Sequence, residues 1–399
     1  MSVTPAPRPE AISSIPNMSG RPEEAYLAPY AMRSSQSRGR RYEEPEHPFR
    51  SPFQRDRDRI IHSRAFRRLE YKTQVFVNHE GDHFRTRLTH SIEVSQVART
   101  VASALRLNST MAEALSLSHD LGHTPFGHLG EEVLHYLMKD HGGFNHNRQS
   151  LRIVEHLEDR YPEFTGLNLT YEIREGIAKH SGSCDPRLAP EYAEYHPEER
   201  PPLEAQMIDM ADEIAYQHHD VDDGVESGLL DPAFLAEHVP LWGENYEEAL
   251  RRYPAAARRQ QVTLALRGMI DTLVTDLVEN SRAAIAASGV QSVADVRKHD
   301  APLMGLSQQT ARRNAELKRF LHQHLYRHHH IERMKDKARR IMEALFARYR
   351  ENIHLLPEEH RAKVPALSAE RVICDYIAGM TDRYAMDEYR RLFDPYERV

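Results

Sequence analysis

The chain has 399 residues, 40% hydrophobic and 28% charged, with a formal net charge of −7. That length buries a substantial core, as one large domain or two closely packed ones, and the acidic balance argues against a surface built wholly for nucleic acid. No apolar run reaches the roughly 20 residues that span a bilayer, and the start, with Pro5, Pro7, Arg8 and Pro9, lacks the apolar stretch of a secretory signal. Cys184 and Cys374 stand far apart and read as reduced thiols of a cytoplasmic protein.

Residues 1–48 mix Pro, Ser, Arg and Glu without apolar periodicity and read as a flexible segment. Basic residues then concentrate between Arg38 and Arg87; most are expected as solvated surface, and a subset converging on one pocket would suit a small polyanion. Lys72 to Val77 alternates enough for one short strand. Val94, Val97, Ala98, Val101 and Leu105 follow at helical spacing, directly behind His90. Met111, Ala114, Leu115 and Ser118 mark a second helix, which runs into His119-Asp120 before Gly122 and Pro125 end it.

The stretch from Ser181 to Pro202, with Pro186, Pro190, Pro197, Pro201 and Pro202, reads as a long loop or lid. Leu203, Met207, Met210 and Ile214 mark a helix that carries Asp212, and helical periodicity returns over Val262–Ile285 and Leu317–Tyr349. The expectation is an all-α protein, with a core over residues 49–225 and a helical C-terminal part over 226–399 packed on it.

The run His119-Asp120-Leu121-Gly122-His123-Thr124-Pro125-Phe126-Gly127-His128 carries the chemistry. His119 and Asp120 offer one nitrogen and one oxygen to a single cation, and His90 and Asp212 can complete the set. Two imidazoles and two carboxylates from three helices balance one divalent ion and leave an octahedral one about two open positions. Mixed N/O donors without thiolate favour Mn, Mg, Co or Fe over a closed zinc site. Each histidine alone reads equally as a surface or core residue; the combination is what points to a hydrolytic metal.

His90, then His119-Asp120, then Asp212 resembles the H…HD…D signature of HD-domain phosphohydrolases. The wording around it, Arg85-Thr86-Arg87-Leu88-Thr89-His90-Ser91, the His119–His128 run, Asn145-His146-Asn147 with Gln149-Ser150-Leu151-Arg152, and Asp375-Tyr376-Ile377-Ala378-Gly379-Met380-Thr381-Asp382-Arg383, resembles the bacterial dGTP triphosphohydrolase family from about Arg55 to Ala385. The resemblance implies an HD-domain helical bundle over the 49–225 core with additional C-terminal helices. It also implies metal-dependent hydrolysis of a deoxynucleoside triphosphate at the α-phosphate, to deoxynucleoside and inorganic triphosphate. The alternatives are an HD-type deoxynucleotide phosphomonoesterase or phosphodiesterase, and a nucleotide- or single-stranded nucleic-acid-binding module with little turnover. A homo-oligomer, often a hexamer, and activation by a second nucleotide are further implications of the family.

The alkoxide leaving group needs an acid, worth roughly 10²–10⁴-fold. His128 suits that role, because Glu131 three residues on can reach its imidazole on a helix; the family's catalytic His and its carboxylate partner fall on the same two positions. Without the motif this is an ordinary exposed pair. His123 and His146 fall on family histidines that contact phosphate in the active site, and Gln74 on the glutamine that contacts the sugar. Arg87, three residues before His90, can pair with α-phosphate oxygens or remain solvated. Asp212, Tyr216 and Asp220 share a helix face, so Asp220 could accept from a sugar 3′-hydroxyl and Tyr216 pack on C2′, against a ribose. Relatives with a lysine after the second metal Asp differ from this chain, which has Glu213; Arg64, Arg67, Arg68 and Lys72 are the alternative phosphate contacts, or an interface patch. His328-His329-His330 and Asp222-Asp223 read as solvated surface.

Overall fold

The computed structural model describes residues 22–74, 85–182, 184–187 and 189–398. Among them the fold is all-α, with isolated bridges only: Thr73 meets Thr86, so the alternating stretch from Lys72 yields one bridge where a strand was expected. The rest of that stretch lies outside the described residues.

Three helices make the centre, and the sequence sets where each begins. The Thr86 hydroxyl caps Arg87–Ala104 by accepting from the Thr89 amide, and the Asn108 side chain caps Ser109–Ser118 through the Met111 amide. Leu203–Glu226 starts directly after Pro201-Pro202, where the missing amide hydrogen and restricted backbone stop any earlier turn. The three pack on one another. Their apolar stripes, Val94, Val97, Ala98 and Val101 on the first, Met111, Ala114 and Leu115 on the second, Leu203, Met207, Ala211 and Ile214 on the third, form one buried core. That core continues past residue 225 into the Arg258–Ser288 helix through Leu266, Met269 and Leu273.

A second core joins the Gly127–Leu137 helix to the His329–Glu351 and Ala369–Ala378 helices through Leu129, Val133, Leu134, Met342, Phe346 and Ile373. The 119–128 run passes from the first core at Leu121 to the second at Phe126, which Leu129 continues. Phe126 takes the left-handed conformation at φ 62°, and Gly127 follows at φ 61°. The turn is held by the Thr124 hydroxyl, which donates to the Gly127 carbonyl at 3.0 Å.

Residues 22–48, expected as flexible, lie against the bundle. Ala28, Ala31 and Met32 are buried, and Glu204 Oε1 accepts from the Met32 and Asn108 amides at 2.9 Å each. Arg40 pairs with buried Asp56 at 2.5 Å. Polar anchors of this kind leave no apolar period for a sequence pattern to reveal. The proline-rich stretch before Leu203 contains a 3₁₀ turn, Pro190–Tyr195, whose Tyr192 and Tyr195 are buried, and Arg174 donates to the Tyr195 hydroxyl at 2.8 Å. It is a packed strap where a lid was an option. The Leu317–Tyr349 periodicity divides into Gln308–His324 and His329–Glu351.

Lys72 is buried, its Nζ donating to the carbonyls of His123 and Ala378 at 2.5 and 3.0 Å. Burial, with Arg68 nearby, lowers its pKa from 10.5 to about 7. Between those values the unfolded chain binds a proton that the folded one does not, so this group adds stability as pH rises across the window. The slope is at most about 1.4 kcal/mol per pH unit. Urea unfolding at pH 7.5 and 9 should therefore show the native protein gaining about 1–2 kcal/mol more than Lys72→Met. Equal pH responses would show that Lys72 does not titrate this way.

Candidate active site

His90 lies in the first turns of the Arg87–Ala104 helix, and His119 ends the Ser109–Ser118 helix with its amide still bonded to the Leu115 carbonyl at 3.1 Å. Asp120 follows, and Asp212 comes from Leu203–Glu226. The four side chains meet. His90, His119 and Asp120 each offer a donor atom within 4.8 Å of the others. Asp212 Oδ1 stands 2.9 Å from His90 Nε2 and 3.7 Å from His119 Nε2.

The donor set fits a divalent cation on its own chemistry. His119 Nδ1 lies 2.6 Å from the Ser116 carbonyl, to which it donates, so Nε2 is the nitrogen left to face an ion. That Nε2 is sealed from solvent and has no hydrogen-bond partner. With no ion bound, burial would lower the His119 pKa, but Asp120 and Asp212 raise it to about 9, so a cation would take the place of the Nε2 proton. In the other direction, burial opposes ionisation of Asp120 and Asp212, yet His119 and Arg87 around the first, and His119 and His90 around the second, hold both well below the usual carboxylate range. Two ionised carboxylates and an unpartnered imidazole nitrogen are what a hard or borderline ion needs.

A second cluster continues from Asp120. His123 Nε2 lies 3.1 Å from Asp120 Oδ1, and the His123 and His146 rings stack at 4.0 Å. Glu131 is turned to His146: its Oε2 is 2.8 Å from the ring Nδ1, and its Oε1 accepts from the His146 amide at 2.9 Å. His128, 61% exposed, is only in ion contact with Glu131 at 3.8 Å. The expected His128–Glu131 hydrogen bond thus goes to His146, because His146 opens a helix capped by Asn145 and offers both ring and amide to one carboxylate. Burial would raise the Glu131 pKa, but His128 and His146 hold it far below its ordinary value. Arg87 is almost fully buried and donates from Nη1 to Asp120 Oδ2 at 2.9 Å, while its Nε and Nη2 have no partner.

Beside these clusters a cavity of about 580 Å³ is lined by Gln74, Phe126, His128, Tyr216 and Tyr326, with Lys335 among its walls. Gln74 Oε1 is buried there without a partner. Asp220, expected to meet a sugar hydroxyl, is fully buried and accepts from the Tyr326 hydroxyl, so its link to the cavity runs through Tyr326.

Residues 87–217 match the HD domain and residues 304–391 the phosphohydrolase-associated domain. Over 377 residues, 94% of this chain and 97% of the relative, the chain is 52% identical to the deoxyguanosinetriphosphate triphosphohydrolase-like protein of Geobacter sulfurreducens. It is 53% identical to the protein of that description from Thiobacillus denitrificans, over 93% of this chain and 98% of the relative. The Bordetella pertussis relative is 52% identical over 92% and 96%. The chain belongs to the dGTP triphosphohydrolase-like family.

As an HD-domain hydrolase it is a metal-dependent phosphohydrolase, with His90, His119 and Asp120 as a group able to hold the ion. No helix among the described residues is long and apolar enough to cross a membrane. In this triphosphohydrolase-like chain Asp382, in the second matched stretch, accepts at 2.9 Å from the Phe126 amide of the first, and also at 2.9 Å from the Thr73 amide that precedes it.

Three of the alternatives to a phosphate-binding lysine, Lys72, Arg64 and Arg68, are engaged or turned to another cleft. Lys72 is bound to carbonyls, while Arg64 and Arg68 line a separate cleft with His360 and Lys363. Glu213 accepts from the Asn314 amide group at 2.8 Å. Asp222 and Asp223, expected at the surface, hold the Arg85 guanidinium at 2.8 and 2.6 Å. Burial raises the thiol pKa of Cys374 to about 12 and that of Cys184 to about 11, away from the thiolate form.

Three residues near the ion donors escaped the sequence reading. His180 Nδ1 lies 2.6 Å from Asp209, and its ring is 5.4 Å from that of His119. His219 faces His90, and Tyr326 covers Asp220. Only His219 had a signal, two helical turns beyond Asp212 and so on the same side of one helix.

Proposed function

We propose that the chain hydrolyses deoxynucleoside triphosphates at the α-phosphate, converting dNTP and water to deoxynucleoside and inorganic triphosphate. The observation that carries this reading is the juxtaposition, through Asp120 and His123, of the cation donors with the His128–Glu131–His146 group beside a cavity sized for a nucleoside. A bound divalent ion, Mn, Mg, Co or Fe, supplies Lewis acidity at the phosphoryl oxygens and makes water nucleophilic near neutral pH.

The remaining work falls to side chains. Asp212, 29% exposed, is the carboxylate open enough to take a proton from the attacking water. Arg87 keeps two unpartnered nitrogens, Nε and Nη2, for α-phosphate oxygens, and His123 and His146 contact phosphate beside it. His128, exposed on the cavity wall, is the acid that protonates the departing 5′-oxygen. Glu131 fixes the His146 ring. Gln74 and Tyr216 receive the sugar, with Tyr216 packed where a ribose 2′-hydroxyl would need room, and the Tyr326 hydroxyl held by Asp220 completes that wall. The names of the relatives make dGTP the first substrate to try.

Phosphate-product chromatography with the four dNTPs and GTP, each with Mg, Mn and Co, tests the reading. Triphosphate and deoxynucleoside should form, GTP should be poor, and EDTA should stop turnover until metal is restored. Pyrophosphate with monophosphate, or turnover of dNMP alone, would favour the phosphodiesterase or phosphomonoesterase alternative.

A further inference from the structure

His219 is fully buried and lines no part of the cavity. Its Nε2 lies 3.0 Å from His90 Nδ1, with the two rings nearly perpendicular at 88°. On its other edge, Nδ1 stands 2.9 Å from Asp220 Oδ1, a close charge contact without hydrogen-bond alignment, and both atoms are sealed from solvent with no other partner. Asp220 Oδ2 accepts from the Tyr326 hydroxyl, and Tyr326 is a wall of the cavity. The line runs from a cation donor to the cavity wall, with hydrogen bonds at its two ends and the His219–Asp220 charge contact between them: His90, His219, Asp220, Tyr326.

Its proton order follows from one requirement. His90 can give the Nε2 lone pair to an ion only as the tautomer with hydrogen on Nδ1. That hydrogen is donated to His219 Nε2, so His219 carries its own on Nδ1, toward Asp220. Tyr326 donates to the same carboxylate from the other side. The His219 and Tyr326 protons then both face the Asp220 carboxylate, the first in a charge contact and the second in a hydrogen bond. A carboxylate behind one histidine is a common way to orient a metal ligand; here a second imidazole extends it.

We propose that His219 is a positioning residue, which fixes the His90 ring as a cation donor and ties it, through Asp220, to the Tyr326 wall. This rests on the ion-binding reading of His90 and deepens it by making cavity and ion site one mechanical unit. A residue that merely filled space would be replaceable by an apolar side chain of similar size.

The test is titration of metal-free full-length protein with Co²⁺, read by visible absorption, with the thermal midpoint measured alongside. His219→Leu should weaken Co²⁺ binding about 10–100-fold, whereas His219→Gln, whose amide can meet His90 Nδ1, should stay within about threefold of the native protein. Tyr326→Phe should weaken binding severalfold with His219 present and have no effect in a His219→Gln background. Native affinity in His219→Leu, or an equal Tyr326→Phe effect in both backgrounds, would overturn the proposal. If His219→Leu does not fold, the Tyr326→Phe comparison decides alone. No arm uses a nucleotide, so an absence of dNTP turnover would reject the proposed reaction and leave this result readable.

Discussion

Asp120→Asn is expected to remove bound metal and lower kcat on the order of 10³-fold or more, a barrier increase of about 4 kcal/mol. One side chain here serves three neighbours. Its carboxylate lies 3.4 Å from His119 Nε2, 3.1 Å from His123 Nε2 and 2.9 Å from Arg87 Nη1. Asparagine withdraws the charge that attracts the ion, and it also leaves the guanidinium of Arg87, 1% exposed, without a counterion. Stranding a buried charge costs about 3–5 kcal/mol of stability, so the variant should also unfold at lower urea. Asp212→Asn separates the two losses, since that carboxylate is partly exposed and has no buried arginine leaning on it. It should lose metal and turnover while unfolding near the native midpoint. Elemental analysis after dialysis, steady-state kinetics and urea unfolding of both variants decide the matter; an Asp120→Asn protein that keeps metal and half its rate would remove Asp120 from the donor set.

Gly122→Ala is expected to destabilise the fold by about 3 kcal/mol or more, through backbone overlap rather than lost chemistry. A Cβ at this position would stand 2.2 Å from the His146 carbonyl oxygen and 2.2 Å from the Ser150 amide nitrogen. Neither is a flexible side-chain end that can swing away. The close approach is stitched by Ser150, whose hydroxyl accepts from the Gly122 amide at 2.8 Å and donates to the His119 carbonyl at 3.0 Å. Pushing the His146–Arg152 helix outward would also part His146 from Glu131 and His123, so kcat should fall in whatever fraction folds. Ser150→Ala, which removes the stitch and adds no bulk, should cost about 1–2 kcal/mol. A Gly122→Ala protein within 1 kcal/mol of native stability would show that the helix approaches less closely than this.

What the sequence makes legible is the part of the site written in short words. His119-Asp120 at a helix end is legible from residue type and helical period, and the H…HD…D resemblance ties it to His90 and Asp212; the four side chains do lie together. The all-α architecture follows from the same periods. Pairings between elements are a different matter. Spacing favours a bond from Glu131 to His128, three residues away, yet the carboxylate turns to His146, fifteen positions on, where an amide and a ring offer more. His180 and Tyr326 come from segments whose approach to Asp209 and Asp220 is set by packing, which no local pattern encodes. Residues 22–48 illustrate the same limit: carboxylates of Asp56, Glu172 and Glu204 fix that path, and scattered ion pairs and amide bonds have no period.

The Asp382 carboxylate bonds to amides 309 and 256 positions earlier in the chain, at Thr73 and Phe126. A ribosome that has already released all four candidate ion donors has therefore not yet supplied the group that latches the turn between Asp120 and His128. Contacts so distant in sequence close late and slowly. The turn between Asp120 and His128 should thus be latched only once the Asp382–Phe393 helix has been made and has docked, long after its own residues have left the ribosome.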